Sequence, residues 1–132
     1  MLAVDTNALV RLIARDDAKQ VAAAERFVAR GAWVSHLVLA ETTWVLSAVY
    51  NVDARSIAIA VDALLNHRDL SVQDPDVVTA ALHRFRSRPS LGFSDCLVLE
   101  IARKAGHLPL GTFDKTLSKL DGTDRLRRPR LP

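Results

Sequence analysis

Four short apolar runs, at residues 2–4 ("LAV"), 32–35 ("AWVS"), 70–73 ("LSVQ") and 108–112 ("LPLGT"), are separated by longer stretches with helical patterning. Runs this short and uncharged suit strands buried on both faces, whereas a half-exposed strand would alternate apolar with polar residues. Strands that alternate with helices pair side by side through crossovers. The sequence therefore predicts an α/β fold with a mainly parallel sheet covered on both faces. Helices are expected over 7–14, from a capping Asp16 or Asp17 to about 30, over 37–50, and from a capping Asp53 to about 67. Asp74 followed by Pro75 marks the start of another, which runs to about 88; proline suits the first helical turn. Ser94 or Asp95 opens a helix that ends near Gly106, and a short helix is expected over 115–120, with a last strand around 125–128.

The chain has 132 residues, which favours one domain spanning 1–132. A domain of that size buries roughly two-thirds of the surface its unfolded chain exposes, so it needs no disulfide or structural metal to fold. Cys96 is the only cysteine, which excludes an internal disulfide and fits a reducing, cytoplasmic setting. Its place in "DCLVLEIA" reads as that of a small buried hydrophobe. No basic segment precedes the first apolar run, so no signal peptide is expected. The longest uncharged runs, such as "TTWVLSAVYNV", fall short of the ~18 residues that span a bilayer, and no membrane association is expected.

In such sheets the ligand lies outside the carboxyl ends of the strands. Asp5 stops the first apolar run abruptly, and Asp114 lies just beyond the fourth. Either could simply cap the helix that follows. Glu41 is harder to place. On the 37–50 helix its neighbours three and four residues away are Leu37, Val38, Trp44 and Val45, all apolar. A glutamate on that stripe is expected to be largely buried, and buried glutamate needs a partner. Asp95 has Val98 and Leu99 downstream, although Ser-Asp at a helix start is also ordinary capping. Glu100, on the same helix, has Arg103 and Lys104 within reach and is expected to form a solvated ion pair outside any site. Thr112, two residues before Asp114, could orient a carboxylate or a water with its hydroxyl.

Were the four acids to converge, they would repel. Two carboxylates ~4 Å apart cost about 4 kcal/mol at an effective dielectric of ~20. Four approach the whole stability of a small domain, on the order of 5–15 kcal/mol. Such a cluster needs protons or cations, and an all-oxygen set selects Mg²⁺ or Mn²⁺ over Zn²⁺. Setting these four aside leaves 18 basic against 11 acidic side chains, or +7 over the rest of the chain. The cations cluster at Arg84, Arg86 and Arg88 in "HRFRSR" and at Arg125, Arg127 and Arg128 in "RLRRPR". Such clusters suit a phosphate backbone, although each also suits a plain solvated surface. Acids filled by metal within a basic surface suit phosphodiester cleavage.

At these residues the sequence resembles the PIN-domain ribonucleases, most closely the VapC toxins of bacterial VapBC toxin–antitoxin pairs. The resemblance covers essentially the whole chain. It rests on "VDTNALV" at the start, "ETTWVL" about 35 residues on, "FSDCLVLEIARKAG" near residue 95 and "LGTFDKTL" soon after, in this order. It implies a three-layer α/β/α sandwich around a central, mainly parallel sheet of four or five strands. It implies an endoribonuclease dependent on Mg²⁺ or Mn²⁺, with Asp5, Glu41, Asp95 and Asp114 as catalytic and metal-binding residues. Asn7 and Thr112 match polar positions that support such a site. It further implies a homodimer and a VapB-like antitoxin that neutralises the activity, with the 37–50 helix as a candidate surface for either contact.

Two other readings carry different expectations. A receiver-like signalling domain also gathers acids at strand ends, but it wants a pair of acids after its first strand, where Asp5 stands alone. A catalytically idle interaction module with the same fold would have no use for four mutually repelling acids.

Overall fold

The computed structural model describes residues 1–127 and 129. Strand β1 (Leu2–Ala3) leads into α1 (Thr6–Ala14) and α2 (Ala18–Val28), and β2 (Ala32–Val34) into α3 (His36–Ala48) and α4 (Ala54–Leu65). Strand β3 (Leu70–Val72) is followed by α5 (Pro75–Ser87) and α6 (Phe93–Ala105). The chain then forms β4 (Leu110–Thr112), one turn of 3-10 helix (Leu117–Lys119) and β5 (Thr123–Arg125). Among the described residues no helix is long and apolar enough to cross a membrane.

The expected α/β class and parallel pairing hold. β1 pairs with β2 and β2 with β3, all parallel, with Ala32 opposite both Leu2 and Leu70. The strands do not, however, make one continuous ladder of four or five: β4 and β5 pair in parallel as a separate two-stranded sheet. β1 offers only two residues, and Val4 N–H beyond it donates to Trp33 O at 3.2 Å. β4 pairs along its β5 edge, with Leu110 N–H donating to Gly122 O and Leu126 N–H to Thr112 O, each at 2.7 Å. The last strand thus lies at Thr123–Arg125 rather than 125–128.

Side chains hold these short strands in place. Ala32, Val34 and Leu70 from the sheet and Val4 just after β1 join Leu9, Leu39, Leu46, Val61, Val78, Leu97 and Leu99 from the helices in one buried cluster. Leu117 and Leu120 belong to the same cluster, so the β4–β5 unit is anchored on the common core. Phe85 near the end of α5 meets Phe93 at the start of α6 edge to face, with centroids 5.9 Å apart and rings at 79°. That contact fixes the loop between the two helices and the first turn of α6. Cys96 is fully buried, as expected, and burial pushes its thiol up to about 11, with Asp95 and Glu100 adding to the effect.

Several helix starts agree with the sequence. Asp17 and Asp53 cap α2 and α4 by accepting from Gln20 N–H and Ser56 N–H. Two differ. Asp74 sits at the cap position of α5 but adopts a left-handed backbone (φ 38°) and makes no side-chain cap bond; its carboxylate instead lies 3.8 Å from Lys104. Neither Ser94 nor Asp95 caps α6. The cap is Gly92, without a side-chain bond, and Asp95 lies within the first turn.

Glu100 also departs from expectation. It is buried, 5 % exposed, not solvated. Arg103 pairs with it at 3.0 Å and donates to Asp121 O at 2.8 Å, which ties α6 to the turn before β5. Gly122 in that turn has φ +90°, a backbone that favours glycine, and a Cβ there would stand 3.0 Å from the Arg103 guanidinium and press on it. Lys104 turns away to pair with Asp76 at 2.7 Å.

One buried group is left wanting. Thr42 on α3 is 0 % exposed, and its hydroxyl has no hydrogen-bond partner among the described residues. A buried hydroxyl without a partner costs about 1–3 kcal/mol, and an isosteric apolar side chain removes that cost. Thr42→Val is therefore expected to stabilise the fold by about 1 kcal/mol in urea unfolding. Equal or lower stability would contradict this account.

Candidate active site

The chain turns from β1 into α1 with only Val4 and Asp5 between them. Asp5 is itself the cap of α1: its Oδ1 accepts Ala8 N–H at 2.9 Å. One oxygen satisfies the helix end while the other carries no protein hydrogen bond among the described residues. Asn7 lies exposed beside it on the first turn. Asp114 repeats the device after β4. Its Oδ1 accepts Leu117 N–H at 2.8 Å, and its own N–H donates to Thr112 Oγ1 at 3.0 Å. Thr112 therefore orients the backbone of Asp114.

Glu41 is exposed, contrary to the burial its apolar neighbours suggested. The inner face of α3 is Leu39, Thr42, Thr43 and Leu46. Leu37 (69 % exposed) and Trp44 (63 %) lie outside with Glu41. Glu41 nevertheless has a partner: Thr6 Oγ1 donates to its Oε2 at 3.1 Å. That bond places Glu41 against the residue next to Asp5. Thr6 gave no sequence signal of this role beyond its place after Asp5. The packing of α3 against both α1 and α6 makes the contact possible and brings α3 alongside the helix that carries Asp95.

Asp95 is half-buried at the start of α6. Burial holds its carboxyl above the ordinary value, the negative charge of Asp114 raises it further, and the backbone of Gly92 partly offsets both. The structure thus brings Asp95 and Asp114 within electrostatic reach, and it brings Glu41 to Thr6 beside Asp5. Among the described residues no three carboxylate, imidazole or thiol groups stand close enough to hold a metal ion together. Among the described residues the four acids do not close into one cage.

A hard divalent cation fits these residues by two observations. The donors are all oxygen. In addition, the charge of Asp114 opposes ionisation of Asp95, and no Lys or Arg is paired to either among the described residues, whereas Asp16, Asp76 and Glu100 are each paired. Of the expected nucleic-acid contacts, Arg84 is half-buried and its charge acts on Cys96, next to Asp95. Arg86, Arg88, Arg125 and Arg127 are exposed, and Arg128 lies outside the described residues.

The raised pKa of Asp95 has a definite sign. The folded protein holds this proton more tightly than the unfolded chain. Asp95 therefore favours folding at low pH, and that contribution is lost as pH rises from the ordinary carboxylate value through the raised one. Asp114→Asn keeps an oxygen for Leu117 N–H and removes the neighbouring charge. It should lower the Asp95 pKa in a carboxyl-carbon NMR titration, without restoring the ordinary value because burial remains, and raise stability at neutral pH. An unchanged Asp95 titration would show that the two groups do not interact.

A family model for the PIN domain matches residues 2–123. No curated protein and no solved structure matches the chain.

Proposed function

The chain belongs to the PIN domain family, and from that premise we propose that it is a metal-dependent endoribonuclease, the VapC-type toxin of a toxin–antitoxin pair. The family's fold is of the nuclease type. The observation that carries the reading is the Asp95–Asp114 pair: two carboxylates, one half-buried, that interact without a compensating cation. An idle interaction module gains nothing from such a pair.

Asp5, Asp95 and Asp114, with Glu41, would hold Mg²⁺ or Mn²⁺, which makes water more acidic and neutralises charge that builds on a phosphate during hydrolysis. Asp5 and Asp114 each commit one oxygen to a helix end and keep the other for this task. Glu41, steadied by Thr6 through Oε2, keeps Oε1 to bind or to take a proton from the attacking water. Asn7 and Thr112 support the site from α1 and β4. Arg84, Arg86 and Arg88, and the cluster Arg125, Arg127 and Arg128, would hold the flanking RNA backbone.

In this reading residues 1–132 act as one domain in the cytoplasm, as a homodimer, until a VapB-like antitoxin covers the site. Leu37 on α3 and Val98 and Ile101 on α6 are exposed apolar side chains on two helices packed together, a surface for a second copy or for the antitoxin.

Purified protein should cleave RNA with Mg²⁺ or Mn²⁺ and stop with EDTA. Asp5→Ala and Asp95→Ala should each lower the rate by at least ~100-fold, the scale of losing one positioned catalytic group. Calorimetry should show Mg²⁺ or Mn²⁺ binding that both variants lose. Full cleavage by Asp5→Ala would overturn the proposal.

A further inference from the structure

We propose that the cleft beside Trp44 is a nucleobase subsite, in which one unpaired base of a single-stranded RNA stacks on the indole next to the cleavage site; this rests on the ribonuclease reading above. The cleft holds about 230 Å³ and is walled by Thr43, Trp44, Ser47, Ser90 and Ser94 over Phe85. That is below the roughly 300–1,000 Å³ of pockets that enclose a whole drug-sized ligand, and it suits a single ring system. Trp44 is 63 % exposed, unusual for the largest apolar side chain, and it offers a flat face. Ser47, Ser90 and Ser94 line the same cleft, and a serine hydroxyl can donate to or accept from the edge of a base.

The cleft is tied to the acids at one end. Trp44 lies one helical turn from Glu41 on the same outer face of α3, and Ser94 directly precedes Asp95. At the other end it continues into a second cleft of about 330 Å³, which shares Ala54, Phe85 and Pro89 and carries Arg55 and Arg86. Both arginines are exposed, and among the described residues neither has an ion-pair partner. Acids, then a flat apolar face ringed by hydroxyls, then cations: the order matches a nucleotide strand, with a phosphate at the acids, a base on Trp44 and the next backbone at Arg55 and Arg86. An apolar protein helix docked here would bury three serine hydroxyls and face two unpaired arginines. Arg86 was expected as a backbone contact. Arg55, alone at the start of α4, gave no cluster signal and enters only through the shared cleft.

The test measures binding in EDTA, so that no cleavage intervenes, with mixed-sequence hexaribonucleotides and an abasic hexamer of the same length. The Trp33→Phe background leaves Trp44 as the only tryptophan. Wild type should prefer the base-bearing oligomer by about 5- to 100-fold, the range of one base–aromatic stack, and only that oligomer should quench Trp44 fluorescence. Trp44→Ala should erase the preference and Trp44→Phe should keep most of it. Arg55→Ala and Arg86→Ala should weaken both oligomers alike, each lowering the slope of log affinity against log salt by about 0.7. Retention of the preference in Trp44→Ala, or an equal loss in Trp44→Phe, overturns the subsite. So does equal wild-type affinity for the two oligomers, which leaves the ribonuclease reading standing. If Trp44→Ala breaks a dimer with RNA binding unchanged, the face is a protein interface and the subsite is overturned. No binding of either oligomer by wild type also overturns the subsite, whereas the ribonuclease reading stands or falls on cleavage with Mg²⁺ or Mn²⁺.

Discussion

Helix packing, not the sheet, carries this fold. Strands of two and three residues make few ladder hydrogen bonds, and parallel ladders are slightly weaker per residue than antiparallel ones. Their positions depend on the helices that bury Val4, Val34 and Leu70 against Leu39, Leu97 and Leu99. Helix α3 is central to that packing because it meets both α1 and α6. Its inner face, Leu39 and Leu46 with the two threonines between them, anchors it, and its outer face then lies beside the ends of both neighbours. The placement of Glu41 next to Thr6, and of Trp44 next to Ser94, follows from where α3 is wedged.

Short strands also explain why the acids stand where they do. A chain that leaves a two-residue strand and enters a helix at once needs a cap at the junction, and aspartate is among the best. Capping and ligand binding looked like rival explanations for Asp5 and Asp114. The structure removes the rivalry, because a carboxylate has two oxygens and the cap uses one. Asp95 differs. Gly92 takes the cap position, and Asp95 sits in the first turn, where the positive end of the helix dipole favours its charge even as burial and Asp114 oppose it.

The alternation of apolar runs with helices made the element order legible, with most boundaries within two residues and the caps Asp17 and Asp53 in place. What could not be read was which face of α3 points inward. That helix is apolar on nearly every side, so periodicity does not select a face. Leu37 and Trp44 imitate a core stripe around Glu41, and the true stripe, 39, 42, 43 and 46, includes two threonines. Glu100 was misread for a related reason. A glutamate three and four residues before cations looks like a surface ion pair in one dimension, but only Arg103 answers it, and Arg103 is itself engaged by the Asp121 carbonyl, distant in sequence. The four acids were visible as residues out of place. Which neighbours they meet was not, because that depends on the Thr6–Glu41 contact and on the reach of Asp114 toward α6.

The cations of α6 complete the electrostatic design. Arg103 and Lys104 lie in its last turn, where the negative end of the helix favours positive charge. Each is engaged, Arg103 by Glu100 and the Asp121 carbonyl, Lys104 by Asp76 and Asp74. These pairs hold the helix's own cations about two turns from Asp95. With a free lysine or arginine beside it, Asp95 would form an ordinary ion pair, its proton affinity would fall, and a mobile cation would have to compete with a tethered one. Keeping the tethered cations occupied elsewhere leaves the Asp95–Asp114 repulsion to be relieved from solution. The same partition keeps Arg55 and Arg86 on the opposite side of the Trp44 cleft, where they can hold an anion without neutralising the acids. The net positive charge of the chain and the uncompensated acids at one end of its cleft are thus two halves of one arrangement, separated by the hydrophobic contact of Phe85 with Phe93.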